Sequence, residues 1–414
     1  MESHDMNIKS KLPPTFPITL SARPLTPSPA VPIAEIEMRI SRIRAEMTRE
    51  KIDVIVLTDP KNVQYFTDYR SVTLLNKTRP IFAIVTHESL IVVGSLDVTK
   101  VFETLTGTVS PVAYLGYLDE AIAAITEQIA AMPALVRKRI GIDYGQDMLG
   151  HGSLTLVDRL KEMSSDHVVK SANDVLWRVR MIKTPFEAEM KKIGLDIINR
   201  AFDDAIAHAY PGISEMQLYQ ILQAEIYLNG AEESDPFTIL FSEGNNCYGR
   251  WPSDLKLREG HYIWADFYAT YGGYPTDRNR IVRCGEPADW EIDAYERVRS
   301  LTIELAKSVR PGLRCCDIYS RFQRLWKDAD LGPAYGLVSR VGHGSGLDIL
   351  EPPSISATDE TVIEAGMILN LEPKLEKDGA VFQFEDILFV RDDGVEFLSE
   401  PHPEHLPVIK LAAK

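Results

Sequence analysis

The stretch WADFYATYGGYPTDRNR, residues 264–280, predicts a β-hairpin that turns at Gly272 and Gly273. Adjacent glycines favour a two-residue turn, because both central residues can adopt positive φ. A turn of this kind fixes the register of the two strands. Because side chains alternate between the faces of a strand, Asp266 and Asp277 are then expected on the same face, as diagonal neighbours.

A second hairpin is predicted in MILNLEPKLEKDGAVFQFEDILFV, residues 367–390, with Asp378 and Gly379 as its turn. Asp-Gly between alternating apolar residues is a strong short-range signal for this turn. The register places Glu372 directly opposite Glu385. Two like charges facing each other are destabilising unless a positive charge lies between them, and a divalent metal ion is the obvious candidate.

A histidine completes the candidate site. His343 lies in RVGHGSG, where the flanking glycines are expected to permit close backbone packing and to leave the ring accessible. The segment matches neither a dinucleotide-binding motif nor a nucleophile elbow with a central serine. Four acids on two hairpins together with this histidine predict a site for one or two metal ions.

An internal repeat connects the two hairpins. PGISEMQLYQIL at 211–222 aligns with PGLRCCDIYSRF at 311–322, one hundred positions later. Ser214 and Gln217 form a capping box in the first copy, which predicts a helix start. Two unrelated helices with similar starts would explain the match, but each copy is followed by a carboxylate-bearing hairpin. Duplicated halves packed around a shared cleft are the more economical interpretation.

The first part of the chain has a different pattern. Apolar residues at helical spacing from Ile36 to Met47 precede short apolar runs and a further helical segment, which predicts an α/β domain. The runs that predict strands are 53–57, 81–86, 90–94 and 139–145, and the helical segment is 119–132. The predicted division is an extended Pro-rich arm at 1–34, an N-terminal α/β domain at 35–178 and a catalytic domain at 179–414.

Composition excludes several kinds of partner. The net charge of -15 argues against nucleic acid or an anionic membrane, because either would require a basic face. No run approaches the roughly 18 apolar residues of a membrane span. The four cysteines form no C-x-x-C motif, so reduced thiols and a cytoplasmic location are expected.

These residues resemble the M24 metallopeptidases, the family of methionine aminopeptidases, Xaa-Pro dipeptidases and creatinase. Its ligands are Asp, Asp, His, Glu and Glu in chain order, with the aspartates eleven apart and the histidine in a GHG context. All five positions match, at Asp266, Asp277, His343, Glu372 and Glu385.

The resemblance covers about 35–400 and implies the fold class α+β: a C-terminal pita-bread domain with duplicated halves, preceded by a smaller α/β domain. PKNVQYFTDY at 60–69 is similar to the N-terminal motif of the prolidase and creatinase branch. MIKTPFEAEM at 181–190 is similar to the domain junction of that branch. The resemblance also implies a homodimer.

The activity implied is that of a metal-dependent hydrolase, Xaa-Pro dipeptidase-like, which cleaves an amide or related C–N bond in a small molecule or dipeptide. One or two divalent ions, with manganese, iron, zinc and cobalt all possible, would activate water as the nucleophile. Glu372 would double as a general base by analogy with the family.

The sequence departs from the peptidase pattern at two positions. Gly249 and Leu350 occupy places where peptidases carry histidines that orient the substrate and transfer protons. Two alternatives therefore stay open. One is a non-peptidic enzyme on this fold, such as a dimethylsulfoniopropionate lyase-like β-elimination enzyme or a creatinase-like amidinohydrolase. The other is a binding module, which the five intact ligands argue against.

Other residues near the departures are candidates for the missing roles. Arg250 is a candidate for binding a substrate carboxylate, with an ordinary exposed arginine as the alternative. Trp251 is a candidate for stacking on a cationic substrate, with a hydrophobic wall that closes the cleft as the alternative. Tyr271 is a candidate for a further substrate contact. Asp348 is a candidate general base, with a turn or capping role as the alternative. Arg280 matches a family arginine that supports the metal carboxylates, whereas Asn279 replaces a family threonine, which changes the hydrogen bonding around the ligands.

Overall fold

The computed structural model describes most of the chain from residue 27 onward. The described ranges are 27–71, 73–96, 109–132, 138–145, 154–163, 166–234, 237–242, 248–334, 336 and 339–411. Residues 1–26 of the predicted arm lie outside them, as does Cys247. The other three cysteines are free thiols.

The N-terminal part is a mixed sheet covered by helices on both faces. Its strand order is β4-β3-β2-β1-β5-β6, in which β1, β2 and β3 pair antiparallel and the outer pairs are parallel. The elements are α1 (Ile33–Glu50), β1 (Val54–Leu57), α2 (Pro60–Thr67), β2 (Phe82–Thr86), β3 (Leu90–Ser95), β4 (Ser110–Tyr114), α3 (Leu118–Ala131), β5 (Arg139–Ile142), α4 (Leu154–Glu162), β6 (Val168–Ser171) and α5 (Asn173–Arg180).

The predicted strands and helices of this part are confirmed. Each predicted strand run overlaps an observed strand, and α3 covers nearly all of the predicted helix. The apolar stripe of α1 is buried, with Ile43 and Met47 fully inaccessible to solvent. The predicted domain boundary at 178–179 falls inside α5.

The C-terminal part contains three sheets and four helices in the described residues. The sheet orders are β17-β9-β8-β7, β11-β10-β12-β15-β16 and β13-β14. The elements are α6 (Pro185–Ile206), α7 (Glu215–Leu228), β7 (Thr238–Ser242), β8 (Tyr262–Tyr271), β9 (Tyr274–Cys284), α8 (Asp289–Ser308), α9 (Cys315–Asp328), β10 (Arg340–Gly344), β11 (Glu351–Ser356), β12 (Ile368–Leu371), β13 (Lys374–Lys377), β14 (Ala380–Gln383), β15 (Asp386–Arg391), β16 (Gly394–Phe397) and β17 (Val408–Ile409).

Both predicted hairpin registers are confirmed. In the first hairpin, Asp266 pairs with Asn279 and Tyr268 pairs with Asp277, while Gly272 and Gly273 have φ of 61° and 79°. These positive angles are those of the predicted turn, which glycine adopts without steric cost. The side chains of Asp266 and Asp277 therefore share one face of the sheet.

The second hairpin is interrupted halfway along. Leu371 pairs with Asp386 in the part far from the turn, and Lys374 pairs with Gln383 in the part near it. Both pairs obey the register predicted from the Asp378-Gly379 turn. The ladder breaks between them, at the level of Glu372 and Glu385, because Pro373 has no N–H to donate.

The internal repeat is visible in the backbone hydrogen bonds. Gly212 N donates to Leu257 O at 2.7 Å before α7, and Gly312 N donates to Ile363 O at 2.9 Å before α9. The two helices begin one hundred residues apart, at Glu215 and Cys315. The capping box of Ser214 and Gln217 is also present, with reciprocal bonds of 3.0 and 3.2 Å. The duplicated halves are thus confirmed.

A buried ion network joins the two parts of the molecule. Arg180 at the end of α5 donates to Asn62 of α2 at 2.9 Å and to Asp348 and Glu351 at 2.7 and 2.6 Å. Lys183 donates to the other oxygen of Glu351 at 2.7 Å. Across the described ranges, no helix is long and apolar enough to span a membrane.

Candidate metal centre

The first hairpin carries two acids that affect each other. Burial, followed by the negative charge of Glu372, raises the pKa of Asp266 to about 7. Burial and the charge of Asp266 raise the pKa of Asp277 well above its ordinary value. A hydrogen bond joins the two carboxyl groups. The predicted diagonal placement therefore brings them into direct interaction.

The break in the second hairpin releases Glu372 and Glu385 from ladder pairing. Glu385 is 1% exposed, and Asn370 Nδ2 donates to its Oε1 at 2.8 Å. Burial, followed by the charges of Asp277 and Asp266, raises the pKa of Glu385 well above its ordinary value. Burial also raises the pKa of Glu372. Both glutamates thus belong to the same electrostatic cluster as the two aspartates.

His343 lies in the central strand β10, between β11 and β12. A Cβ atom at Gly342 would lie 2.1 Å from Asn370 O, and one at Gly344 would lie 2.2 Å from Pro352 O. The flanking glycines therefore permit the close strand packing that the sequence predicted. The ring differs from expectation, because His343 is only 2% exposed, although it lines a cleft.

The tautomer of His343 is set by its neighbour. Nδ1 lies 2.9 Å from Gly344 O, to which it donates, so Nε2 carries the lone pair. Burial lowers the pKa of His343 to about 3, which keeps the imidazole neutral. Nε2 lies 3.9 Å from Asp277 Oδ2 and 3.9 Å from Glu372 Oε1. The lone pair thus points among the carboxylates.

Three of these side chains form a compact donor group. Ligand atoms of Asp277, His343 and Glu385 all lie within 4.8 Å of one another. Asp266 and Glu372 contact the same group through the interactions described above. Mutual repulsion and burial both disfavour the ionised carboxylates, and a divalent cation removes that penalty. Four carboxylates and one neutral imidazole are a donor set that fits such a cation.

The residues around the donor group hold it in place. Asn279 Nδ2 donates to Ala265 O at 2.9 Å, while Glu385 N donates to His402 Nε2 at 3.1 Å. The pKa of His402 is lowered well below its ordinary value by burial, so its ring accepts this bond in the neutral form. Arg280 donates to Asn199 of α6 at 2.7 Å. These contacts fix the strands from which the acids project.

Two cavities border the donor group. One, of about 500 Å³, is lined by His343, Arg340 and Leu350 together with the end of α5. The other, of about 190 Å³, is lined by Asp266, Glu372 and a set of aromatic side chains. Arg340 lines both cavities. The donor group is therefore reached from two sides.

The three predicted substrate-binding residues are placed differently from one another. Arg250 forms a two-pronged ion pair with Glu215, with both distances 2.7 Å. Trp251 is 64% exposed and meets Tyr219 edge-on. Tyr271 is buried at the end of β8, beside the hairpin turn. None of the three lines either cavity beside the donor group, and their substrate roles stay predictions.

Asp348, the second predicted catalytic residue, belongs to the buried ion network. Its Oδ2 accepts from Arg180, and its backbone N–H donates to Glu351 Oε1 at 3.1 Å. Burial raises the pKa of Asp348, against the opposing effect of Arg180. Its role as a general base stays a prediction.

Sequence reasoning missed two cations at the site. Arg340 Nε lies 3.8 Å from Glu372 Oε1, and the Lys374 ammonium lies 3.7 Å from the centre of the Tyr248 ring. Burial lowers the pKa of Lys374, against the raising effect of Glu376, Asp266 and Glu372. Lys374 lies in the predicted second hairpin, two residues after Glu372. No local pattern showed which face of the broken hairpin its side chain would occupy.

Comparison with known proteins agrees with this geometry. The model of metallopeptidase family M24 matches residues 189–392, and that of the creatinase/prolidase N-terminal domain matches 39–182. An uncharacterized peptidase of Staphylococcus aureus (strain USA300) is 25% identical over 371 residues, 87% of this chain and 98% of the relative. The Xaa-Pro dipeptidase of Pyrococcus furiosus is 28% identical over 257 residues, 61% of this chain and 73% of that enzyme.

Solved structures share the whole architecture. The Xaa-Pro dipeptidase from Bacillus anthracis has a TM-score of 0.77 at 21% identity, covering 90% of this chain and 100% of that one. Dipeptidase PepE from Mycobacterium ulcerans has a TM-score of 0.76 at 21% identity, covering 92% and 100%. Likeness at this identity shows the fold, and the two family models cover both of its parts. The chain therefore belongs to metallopeptidase family M24, in the Xaa-Pro dipeptidase branch that carries a creatinase/prolidase N-terminal domain.

Proposed function

We propose that this hydrolase cleaves an amide or related C–N bond in a small substrate, with the five side chains Asp266, Asp277, His343, Glu372 and Glu385 holding one or two divalent ions. The observation that carries the proposal is the donor group itself, in which Asp277, His343 and Glu385 offer ligand atoms within 4.8 Å of one another. Its carboxylates have raised pKa values and its imidazole is neutral, which is the state of a site that awaits a cation.

The bound metal would supply Lewis acidity, which polarises a substrate carbonyl and makes water a nucleophile near neutral pH. Asp266 and Asp277 would hold it from one hairpin, and Glu385 from the other. His343 would bind through Nε2, because its Nδ1 is already engaged with Gly344 O.

Glu372 is the proposed general base. Its side chain is 24% exposed, whereas that of Glu385 is almost completely buried, and it borders the smaller cavity. A base must reach both the nucleophilic water and the substrate, so the more accessible glutamate suits the role. Arg340, 3.8 Å away, would favour its ionised form.

Two proton-transferring histidines of the peptidases have no counterpart at this site. Gly249 and Leu350 supply no proton-transferring side chain, so ordinary Xaa-Pro dipeptides are expected to be poor substrates. Leu350 instead adds an apolar, half-exposed wall to the larger cavity. We therefore propose a Xaa-Pro dipeptidase-like reaction on a small substrate other than the common dipeptides. Xaa-Pro compounds are the nearest reference, because relatives carry that name.

A substrate panel tests this proposal. Protein loaded separately with manganese, iron, zinc or cobalt is assayed by mass spectrometry against Xaa-Pro dipeptides, N-methylated amidines, and sulfonium or betaine compounds. Metal-dependent release of a hydrolysis product from an amide or amidine supports the proposal. Products of elimination, which contain no added water, would contradict it, as would the absence of turnover with every metal and compound.

Glu372→Gln tests the proposed role of Glu372 as the general base. This change removes the base but keeps the size of the side chain, and turnover is expected to fall by about 10²- to 10⁴-fold. Glu364→Gln, in an exposed loop before β12, is the matched control and should leave turnover unchanged. Wild-type turnover in Glu372→Gln would remove Glu372 from the mechanism.

A further inference from the structure

The smaller cavity beside the donor group has an unusual lining, and we call it the aromatic pocket. Its walls are the side chains of Tyr248, Trp264, Tyr319 and Phe322. Asp266 and Glu372, two of the proposed metal ligands, lie at its edge. A substrate group bound in the aromatic pocket would therefore lie beside the proposed metal centre.

Two cations line the same pocket. The Lys374 ammonium lies 3.7 Å from the centre of the Tyr248 ring and 5.5 Å from that of Trp264. The Arg340 guanidinium lines it as well, with Nε 3.8 Å from Glu372. The aromatic faces hold the ammonium by cation–π attraction and restrict its position. The pocket thus combines flat apolar walls with fixed positive charge.

Lys374 also contacts the residue that precedes the position where the peptidase histidine is missing. Its contact Tyr248 immediately precedes Gly249, and a Cβ atom at Gly249 would have no neighbouring heavy atom within 4 Å. The space that a larger side chain at 249 would enter is open.

The charge balance of the pocket depends on the metal. Asp266 and Glu372 can offset the positive charges of Lys374 and Arg340 only while no metal ion is bound to them. A divalent ion held by these two carboxylates takes up their charge. Glu376 also acts on Lys374, but it does not line the pocket, and its Oε1 accepts a hydrogen bond from the Tyr248 hydroxyl. Lys374 and Arg340 are then two cations at the pocket with one nearby carboxylate outside the metal centre. An anionic substrate group is then favoured there.

We propose that Lys374 anchors a carboxylate of the substrate in the aromatic pocket, with Arg340 as the second cation. The substrate would then be a small amide that carries a carboxylate and an apolar or flat body on the same side of the scissile bond. This inference rests on the proposed metal-dependent function. Lys374 would supply the positive charge and hydrogen-bond donors that position 249 lacks.

Binding of a matched pair of probes tests the assignment without any need for turnover. Hydrocinnamate and its neutral amide, hydrocinnamamide, share an apolar ring and differ in charge. Isothermal titration of manganese-loaded wild-type protein is expected to show the carboxylate binding about tenfold or more tightly, as charge-assisted hydrogen bonds are the stronger kind. Equal affinity for the two probes would overturn the proposal.

Variants of Lys374 test whether this side chain causes the preference for the carboxylate probe. Lys374→Met is expected to abolish the preference while metal content stays at the wild-type level, and Lys374→Arg should retain most of it. Lys377→Met, at an exposed position on the same strand, is the matched control and should behave as wild type. A full preference in Lys374→Met would mean that the carboxylate binds the metal or Arg340 alone, and would overturn the role of Lys374.

Two further comparisons distinguish an error in the proposed function from an error in the role of Lys374. If Lys374→Met does not fold, Lys374→Gln and Lys374→Arg are compared with each other, and equal preferences in those two variants would overturn the proposal. Failure of every amide to be hydrolysed would contradict the proposed function but would not change the probe affinities. Failure of the probe preference, with hydrolysis intact, would contradict only the role of Lys374.

Discussion

Glu351 and Glu385 are both almost completely buried, with 5% and 1% exposure, yet the molecule treats their charges in opposite ways. Burial raises the pKa of Glu385 well above its ordinary value, and three neighbouring acids add to this effect. Burial would raise the pKa of Glu351 too, but Lys183 and Arg180 lower it to about 2.

The two sites differ in whether the chain supplies counter-ions for the buried carboxylates. Glu351 has its counter-ions within the chain, because Lys183 and Arg180 donate to it at 2.7 and 2.6 Å. The acids around Glu385 raise one another's pKa values, and the nearby cations Lys374, Lys191 and Arg340 do not cancel the rise. A buried charge needs a partner. The charges of the ion network around Glu351 are therefore balanced within the chain, whereas the donor group is the proposed site of a cation from outside the chain.

The largest effect is expected on stability, when Glu351 is replaced. Glu351→Ala removes the carboxylate that pairs with Lys183 and leaves Arg180 paired with Asp348 alone, which should cost about 3–5 kcal/mol in the free energy of unfolding. Metal content should be unchanged. Urea unfolding measures the loss, with the 80% exposed Glu360 changed to alanine as the control. A loss below about 1 kcal/mol would show that the network does not stabilise the fold.

Acid should remove the same stabilisation. The pKa of Glu351 is lower in the folded protein than in the unfolded chain, so the folded state favours its ionised form. This contribution is fully present above the unfolded pKa near 4.5 and is lost as the pH falls toward about 2.

The measurement is the stability gap between wild type and Glu351→Gln across this range. Urea unfolding at intervals from about pH 6 to about pH 3 should show the gap narrowing below about pH 4.5. A gap that stays constant or widens with acid would mean that Glu351 is not held as a charge in the folded protein.

The smallest effect is expected at Leu350, beside the donor group. Leu350 is 50% exposed, so Leu350→His should change stability by no more than about 0.5 kcal/mol. It should not by itself produce strong Xaa-Pro cleavage, because Gly249 still supplies no imidazole. The double variant Gly249→His with Leu350→His is the companion, since open space surrounds Gly249. Robust prolidase activity in the single variant would contradict this account of specificity.

Much of the candidate metal centre could be predicted from the sequence, because short-range rules determine where its side chains lie. The turn residues at 272–273 and 378–379 fix both registers, and the registers place Asp266, Asp277 and the two glutamates. The match of two segments one hundred residues apart predicted the duplicated halves. Local rules were enough because each hairpin is a local structure.

The residues that sequence reasoning missed depend on contacts between distant segments. The counter-ions of Glu351 come from the junction at 180–183, about 170 positions earlier, and no periodic pattern connects them. The position of Lys374 depends on a break in the hairpin and on Tyr248 from another segment. Burial of His343 depends likewise on the two strands that flank β10.

The most direct test of the central claim is elemental analysis of purified wild-type protein and of Asp266→Asn, each loaded with manganese and then desalted. The account predicts bound metal in the wild type, with metal and turnover lost together in Asp266→Asn. The exposed variant Asp293→Asn should match the wild type. Wild-type metal stoichiometry in Asp266→Asn, or a wild-type protein that retains no metal, would contradict the claim that these buried acids form a metal centre.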